Sequence, residues 1–259
     1  MSATGALALK LVLTPVLIGA ASLAGRRWGS AVGGWLIGIP FTSGPIAFFL
    51  ALDPGPSFAA AAAAGIMAGA ASQAAFCLAY SWTAQRERWL PSLVSAAAGF
   101  GVATLLLDTF VVPPIGTFAL VIVVLVVSLF LMPRGSGPRV EPVRFPAWDI
   151  PARIAVATAF VVALTAAAPL LGPRLAGLLA PFPLYGALLA AFAHRLEGSA
   201  AAVEVLRGLL LGLFAFGSFF LVLALLLTTE IAIAFGAAIV AGLVVHGGSL
   251  LVGRRLGLA

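Results

Sequence analysis

Residues 38–45 read GIPFTSGP and residues 181–186 read PFPLYG, and each stretch lies inside a long apolar run. A proline inside a helix removes one backbone hydrogen bond and clashes with the preceding turn. The concentration of prolines and glycines therefore predicts an interruption of the helix near Pro40 and another near Pro183. Two interpretations remain open: a kink that improves packing, or a pair of broken helices that cross at the membrane midplane and form a binding site.

The composition around these stretches is that of a membrane protein. Of the 259 residues, 63% are hydrophobic and 8% are charged, and the mean hydropathy is +1.19. A soluble domain carries about 25% charged residues, and no soluble fold can cover so much apolar surface. We therefore predict an all-α integral membrane protein. Its pI near 11.0 reflects arginines in the loops on one side of the membrane, and no nucleic-acid partner is expected.

Nine apolar runs are long enough to cross a bilayer, which takes about 20 residues. Numbered in chain order as spans 1 to 9, they lie at 5–25, 30–52, 58–84, 90–108, 111–132, 151–171, 175–193, 203–228 and 231–252. This division places all but two of the 14 Lys and Arg residues on one side, and leaves Lys10 and Arg174 on the other. Because the basic side is the cytoplasm, we expect a multi-pass protein of the cytoplasmic membrane with its N-terminus outside and its C-terminus inside.

The two interrupted stretches belong to an internal repeat. An offset of 143 residues aligns Pro40 with Pro183 and needs no gap. It also aligns these glycine pairs: Gly34 and Gly177, Gly65 and Gly208, Gly69 and Gly212, Gly99 and Gly242. Spans 1 to 4 thereby repeat as spans 6 to 9, with span 5 as the linker. Because an odd number of spans precedes the second copy, that copy enters from the opposite face, which predicts a 4+1+4 inverted repeat.

The repeat divides the chain into three predicted units. Residues 1–110 form the first four-helix repeat, 111–150 the linker helix with a cytoplasmic loop, and 151–259 the second four-helix repeat.

The candidate substrate-binding residues surround the two breaks. They are Pro40, Thr42, Ser43, Gly44, Pro183, Tyr185 and Gly186. A hydroxyl beside a break can satisfy the carbonyls that the break releases, or it can contact a substrate. Gln73 and His246 lie deeper in their spans. For each of them an interhelical hydrogen bond is one interpretation, and a ligand or proton carrier is the other.

A further set of polar residues occurs in the second copy alone, where the first copy has alanine at the equivalent positions. The set consists of His194, Glu204 and Arg207. Glu204 and Arg207 are three positions apart at the start of span 8, so they share one helix face and can pair. One interpretation is an interfacial ion pair. The other is the lining of the cytoplasmic mouth of a solute path, with Arg207 as an anchor for an anionic group.

These residues also carry a resemblance to a known family. The second half contains Pro-Phe-Pro at 181–183, Ala-His at 193–194, Gly-Ser at 198–199 and Glu-x-x-Arg at 204–207. Over about 175–227 it resembles the GlpM family of small bacterial inner-membrane proteins. Members of that family look like single four-helix units, so the whole chain looks like a fused inverted duplication of one. The resemblance implies that the histidine, glutamate and arginine of these motifs are signature residues. It also implies a link to polysaccharide production.

The motifs of common enzyme classes are absent from the sequence. It contains no Gly-rich phosphate loop, no His-Glu-x-x-His, no cluster of metal ligands, and one cysteine, Cys77. We therefore predict no enzyme activity, no cofactor and no metal. The inverted repeat and the broken helices predict a small-solute transporter or permease, whose partners are the lipid bilayer and that solute. The alternative is a non-transporting scaffold or accessory protein for an envelope process. The sequence assigns no oligomeric state.

Overall fold

The computed structural model describes residues 39–110, 112–133 and 149–255, together with the isolated residues 12, 15 and 16. Within these ranges every regular element is an α-helix, which confirms the predicted all-α class for this part of the chain. In chain order the helices are α1 (Ser43–Leu52), α2 (Pro56–Thr83), α3 (Trp89–Asp108), α4 (Pro114–Leu131), α5 (Asp149–Leu179), α6 (Leu184–Glu197), α7 (Ser199–Leu226) and α8 (Ile231–Arg255).

Six of these helices, α2, α3, α4, α5, α7 and α8, are long and apolar enough to cross a membrane. Large apolar side chains are exposed along them: Leu170 is 92% and Val244 70% exposed, as expected for side chains that lipid covers. The chain is therefore compatible with a multi-pass membrane protein. Span 1 and the first part of span 2 lie outside the described residues. The count of nine spans, the unit boundaries and the orientation stay predictions.

Predicted spans 6 and 7 are separated where the apolar runs suggest. Residues Asp149–Leu179 are grouped here as α5, but Gly172 (φ 77°, ψ 164°) has a non-helical backbone, so two helical segments meet at a kink between the predicted spans. A positive φ of this kind favours glycine, and Pro173 follows directly. The helix then ends at Leu179, and residues 180–183 separate it from α6. Span 7 is thus interrupted at the predicted proline. In the first half of the chain, residues 39–42, which precede α1, form no regular helix.

Helices α2 and α7, from spans 3 and 8, form the centre of the described bundle. In their most apolar stretches 72% and 61% of the residues are buried, against 17–28% in the other four long helices. They pack along each other. Helix α2 also packs on α3 as α7 packs on α8, and the linker helix α4 packs on both α2 and α7. These three pairings are compatible with the predicted repeat.

The end of α5 crosses α2 at close range because both helices have glycine there. A Cβ atom on Gly65 would lie 2.8 Å from the carbonyl oxygen of Arg174, and one on Gly69 would lie 3.0 Å from that of Leu178. Gly177 on α5 faces Gly65 in the same contact. Small residues at four-residue spacing permit such backbone contact. Gly65 and Gly69 thus allow the close contact, which places the second break directly against α2.

Candidate functional site

The break between α5 and α6 lies against the start of α1. Ser43, the first residue of α1, donates a hydrogen bond from Oγ to the carbonyl oxygen of Ala180 at 3.1 Å. In an uninterrupted helix that carbonyl would accept the N–H of Leu184, but here the Leu184 N–H is donated to Phe182. The hydroxyl of Ser43 therefore satisfies a carbonyl that the second break releases.

Gln73 of α2 satisfies the next released carbonyl. Its Nε2 donates a short hydrogen bond to the carbonyl oxygen of Pro181, which confirms the interhelical hydrogen bond expected of this residue. Gln73 is 6% exposed, and its Oε1 is buried with no hydrogen-bond partner among the described residues. The repeat aligns Gln73 with Phe216 and Ser43 with Gly186, so neither polar contact can be reproduced by the equivalent residue of the second copy.

A small cavity of about 40 Å³ lies between the two breaks. It is lined by Ile39, Pro40, Phe41, Thr42, Ser43, Gln73, Phe182, Pro183, Leu184, Tyr185, Leu209 and Phe216. Of the predicted binding residues, Pro40, Thr42, Ser43, Pro183 and Tyr185 are in this set. Gly44 lines a neighbouring groove, and Gly186 is buried in α6 outside the cavity lining.

Sequence reasoning found Gln73 but did not assign it to this site. The aromatic lining residues Phe41, Phe182 and Phe216 were also missed. The repeat alignment could have linked two of the lining residues, because it aligns Gln73 with Phe216. Both residues line the cavity, one from α2 and the other from α7.

An apolar groove of about 430 Å³ adjoins the cavity between α1, α7 and α8. Ile39, Phe219 and Leu243 are among its lining residues. The repeat aligns them with Phe182, Phe76 and Phe100, and in that set the rings of Phe182 and Phe100 pack edge to face at 5.1 Å. Ile39 and Leu243 are smaller than the phenylalanines with which the repeat aligns them. Buried His246 lies at the groove.

The residues predicted for the cytoplasmic mouth are not in the cavity lining. His194 Nδ1 lies 3.3 Å from the hydroxyl of buried Tyr80. Glu204 is exposed and close enough to Glu197 to affect it. Burial first, and then the charge of Glu204, raise the pKa of Glu197. Glu197 was not among the predicted residues, because its proximity to Glu204 depends on the turn between α6 and α7.

Arg207 contacts the end of the linker helix. Its Nη2 donates to the carbonyl oxygens of Met132 and Pro133, each at 3.2 Å. From α2, Trp82 Nε1 donates to the carbonyl oxygen of Leu131, also at 3.2 Å. The last carbonyls of a helix lack intrahelical donors and carry partial negative charge. Donors from α2 and α7 therefore cap α4.

At the other end of the bundle, Arg174 joins the kinked α5 to α3. Its Nε lies 3.3 Å from Asp108 Oδ1, and its Nη2 donates to the carbonyl oxygen of Leu107. Asp108 was expected to be solvated, and its side chain is 41% exposed but paired. Among the described residues, no three His, Cys, Asp or Glu side chains are placed to hold a metal ion.

No family model matches this chain, and neither a curated protein nor a solved structure is similar to it. The resemblance to the GlpM family therefore stays a prediction, and the function has to be argued from the site itself.

Proposed function

We propose that this protein is a small-solute transporter or permease of the bacterial inner membrane, and that its solute binds between the two helix breaks. The proposal depends on the contact between the breaks, where Ser43 is bonded to Ala180 beside a cavity of about 40 Å³. In many secondary transporters the substrate site is formed by discontinuous helices at the interface of two repeats.

The start of each half-helix faces the cavity. Helix α1 begins at Ser43 and α6 at Leu184, and both residues line it. A helix N-terminus carries a positive partial charge, so the half-helices favour the negative end of a dipole in the solute. The remaining lining is largely apolar, which makes binding of a strongly charged solute costly. A weakly polar or amphipathic solute fits this combination.

The packing of the helices supports the inverted repeat on which transport depends. Helices α2 and α3 pack as α7 and α8 do, and α4 contacts both central helices. Two inverted copies of one unit supply two conformations of similar free energy, open to opposite sides of the membrane. A solute held between the copies would then be exposed alternately to each side.

The first experiment is a thermal-unfolding screen of the purified full-length protein against metabolites. A solute that binds the folded state alone raises the midpoint of unfolding. We expect this stabilisation to be lost in Ser43→Val, which cannot donate to Ala180, and reduced in Tyr185→Phe. Glu230→Gln is the control, because Glu230 is exposed and outside the cavity lining, and it should respond as wild type does.

A cross-link separates transport from the scaffold alternative. Cys77 is the only cysteine and is buried, so a Cys77→Ala background accepts new thiols at positions 43 and 180, whose residues are in contact. Bridging the thiols with mercuric ion should abolish solute flux and the cellular function together. If the bridged protein keeps its cellular function and no solute stabilises the wild type, transport is wrong and a scaffold is favoured.

A further inference from the structure

We infer that the solute of this site is a small neutral molecule that carries an O–H or N–H donor, and that Gln73 Oε1 is the acceptor that recognises it. The inference rests on the proposed transport function and adds the chemistry of the substrate.

The Gln73 amide is oriented so that its oxygen has no donor in the described part of the chain, and this residue lines the cavity. Nε2 donates to the carbonyl of Pro181, and a flipped amide would place two acceptors against each other. Gln73 lines the cavity, and Oε1 is buried with no partner among the described residues. A buried acceptor without a donor is unfavourable, so an O–H or N–H group in the cavity would relieve it.

Ser43 supplies a second acceptor in the cavity lining. The Ser43 hydroxyl uses its proton in the bond to Ala180, so toward the cavity its oxygen offers lone pairs. Gln73 and Ser43 therefore both favour a donor over an anion. The N-terminal ends of α1 and α6, which carry positive partial charge, disfavour a cation. No ionisable side chain other than Tyr185 is among the described lining residues. Together these features select a neutral solute.

The size and asymmetry of the cavity define the solute further. A volume of about 40 Å³ exceeds the roughly 10–15 Å³ that one water needs, so it accepts a molecule of a few non-hydrogen atoms. Gln73 lines it from α2, and its repeat equivalent Phe216 lines it from α7. The donor of the solute is therefore expected to face α2 and its less polar side to face α7. Urea and formamide are probes with these properties.

The test measures urea and formamide flux into proteoliposomes of the full-length protein by stopped-flow light scattering, with chloride and sodium fluxes alongside. Gln73→Met should lower urea flux about tenfold, the loss expected for one hydrogen bond. Ser72→Ala is the matched control. Ser72 also belongs to α2 and makes a buried interhelical bond, accepting from Thr104 Oγ1 at 2.9 Å, but it is outside the cavity lining. Its flux should match that of wild type.

Gln73→Glu tests whether a low urea flux in Gln73→Met comes from a folding defect. A protonated carboxyl donates to Pro181 and keeps a carbonyl oxygen for the solute, so urea flux should recover when the pH is lowered. Wild-type urea flux in Gln73→Met would overturn the inference and leave transport intact. A flux of chloride or sodium without any flux of urea or formamide would also overturn the inference. If no solute crosses at all, the proposed function fails as well.

Discussion

Replacing Gly65 by alanine tests whether backbone contact between α5 and α2 holds the second break in place. The added Cβ would lie 2.8 Å from the carbonyl oxygen of Arg174, 3.2 Å from Gly177 Cα and 3.3 Å from the Leu178 nitrogen. All three are backbone atoms, so no side chain can rotate away to relieve the contact. A normal carbon–oxygen contact is about 3.5 Å or more, so the end of α5 must move away from α2 by roughly half an ångström or more.

The magnitude follows from two opposing effects. Overpacking of this kind costs about 1–3 kcal/mol, and alanine regains about 0.5–1 kcal/mol of helix propensity over glycine. The net expectation is a loss of about 1–2 kcal/mol, which lowers the melting temperature by about 2–8 °C for a chain of this size. Because the displaced segment leads into the break at 180–183, urea flux should also fall.

The assay is thermal unfolding of the purified variants in one detergent, followed by flux in proteoliposomes. Gly101→Ala on α3 is the matched control, because a Cβ at Gly101 meets no atom within 4 Å; it should be neutral or stabilising, through propensity alone. Equal melting temperatures for Gly65→Ala and Gly101→Ala would refute the view that close backbone packing positions this break.

Three further predictions concern the ends of the bundle. Arg207→Met, which removes the cap of α4, should lower the melting temperature by a few degrees; lost transport with unchanged melting would instead favour a direct role for Arg207 in the solute path. Glu197→Gln should raise the melting temperature at high pH. The pKa of the Glu197 carboxyl is raised in the folded state, so the wild-type protein loses stability as the pH rises through that pKa, whereas the variant has no carboxyl to ionise. At low pH Glu197→Gln should melt as wild type does, and a difference independent of pH would contradict this. Reporter fusions at Pro138 and at the C-terminus should both report the cytoplasm, and a periplasmic signal from either would reject the predicted orientation.

Arg207 caps the linker helix α4, which is a structural role that the sequence did not predict. Its spacing from Glu204 predicts a local pair, but its donor reaches carbonyls 74 and 75 residues away in the chain. An arginine at a helix C-terminus is favoured by the helix dipole. The acceptors could not be identified in advance, because a carbonyl at a helix end has no side-chain signature. The arginine of the predicted mouth thus serves the junction between the copies.

The sequence alone was sufficient for the helical class and for the position of the break near Pro183. Apolar runs indicate that lipid is the solvent, because the chemistry of each residue sets that preference locally. An interior proline removes a backbone hydrogen bond wherever the chain packs, so Pro183 marked its break without reference to the rest of the chain. Glycine spacing indicated close packing at Gly65 and Gly69 for the same local reason, although not which helix would approach.

The partners across the bundle could be read only from the folded chain. Gln73 reaches Pro181 over 108 residues and Ser43 reaches Ala180 over 137, and no local preference encodes contacts at such separations. These contacts depend on how closely α5 can approach α2, which the shapes of both helix surfaces determine jointly. That close approach brings a released carbonyl to the nitrogen of the Gln73 amide and leaves the amide oxygen unpaired. The predicted chemistry of the solute depends on that unpaired oxygen.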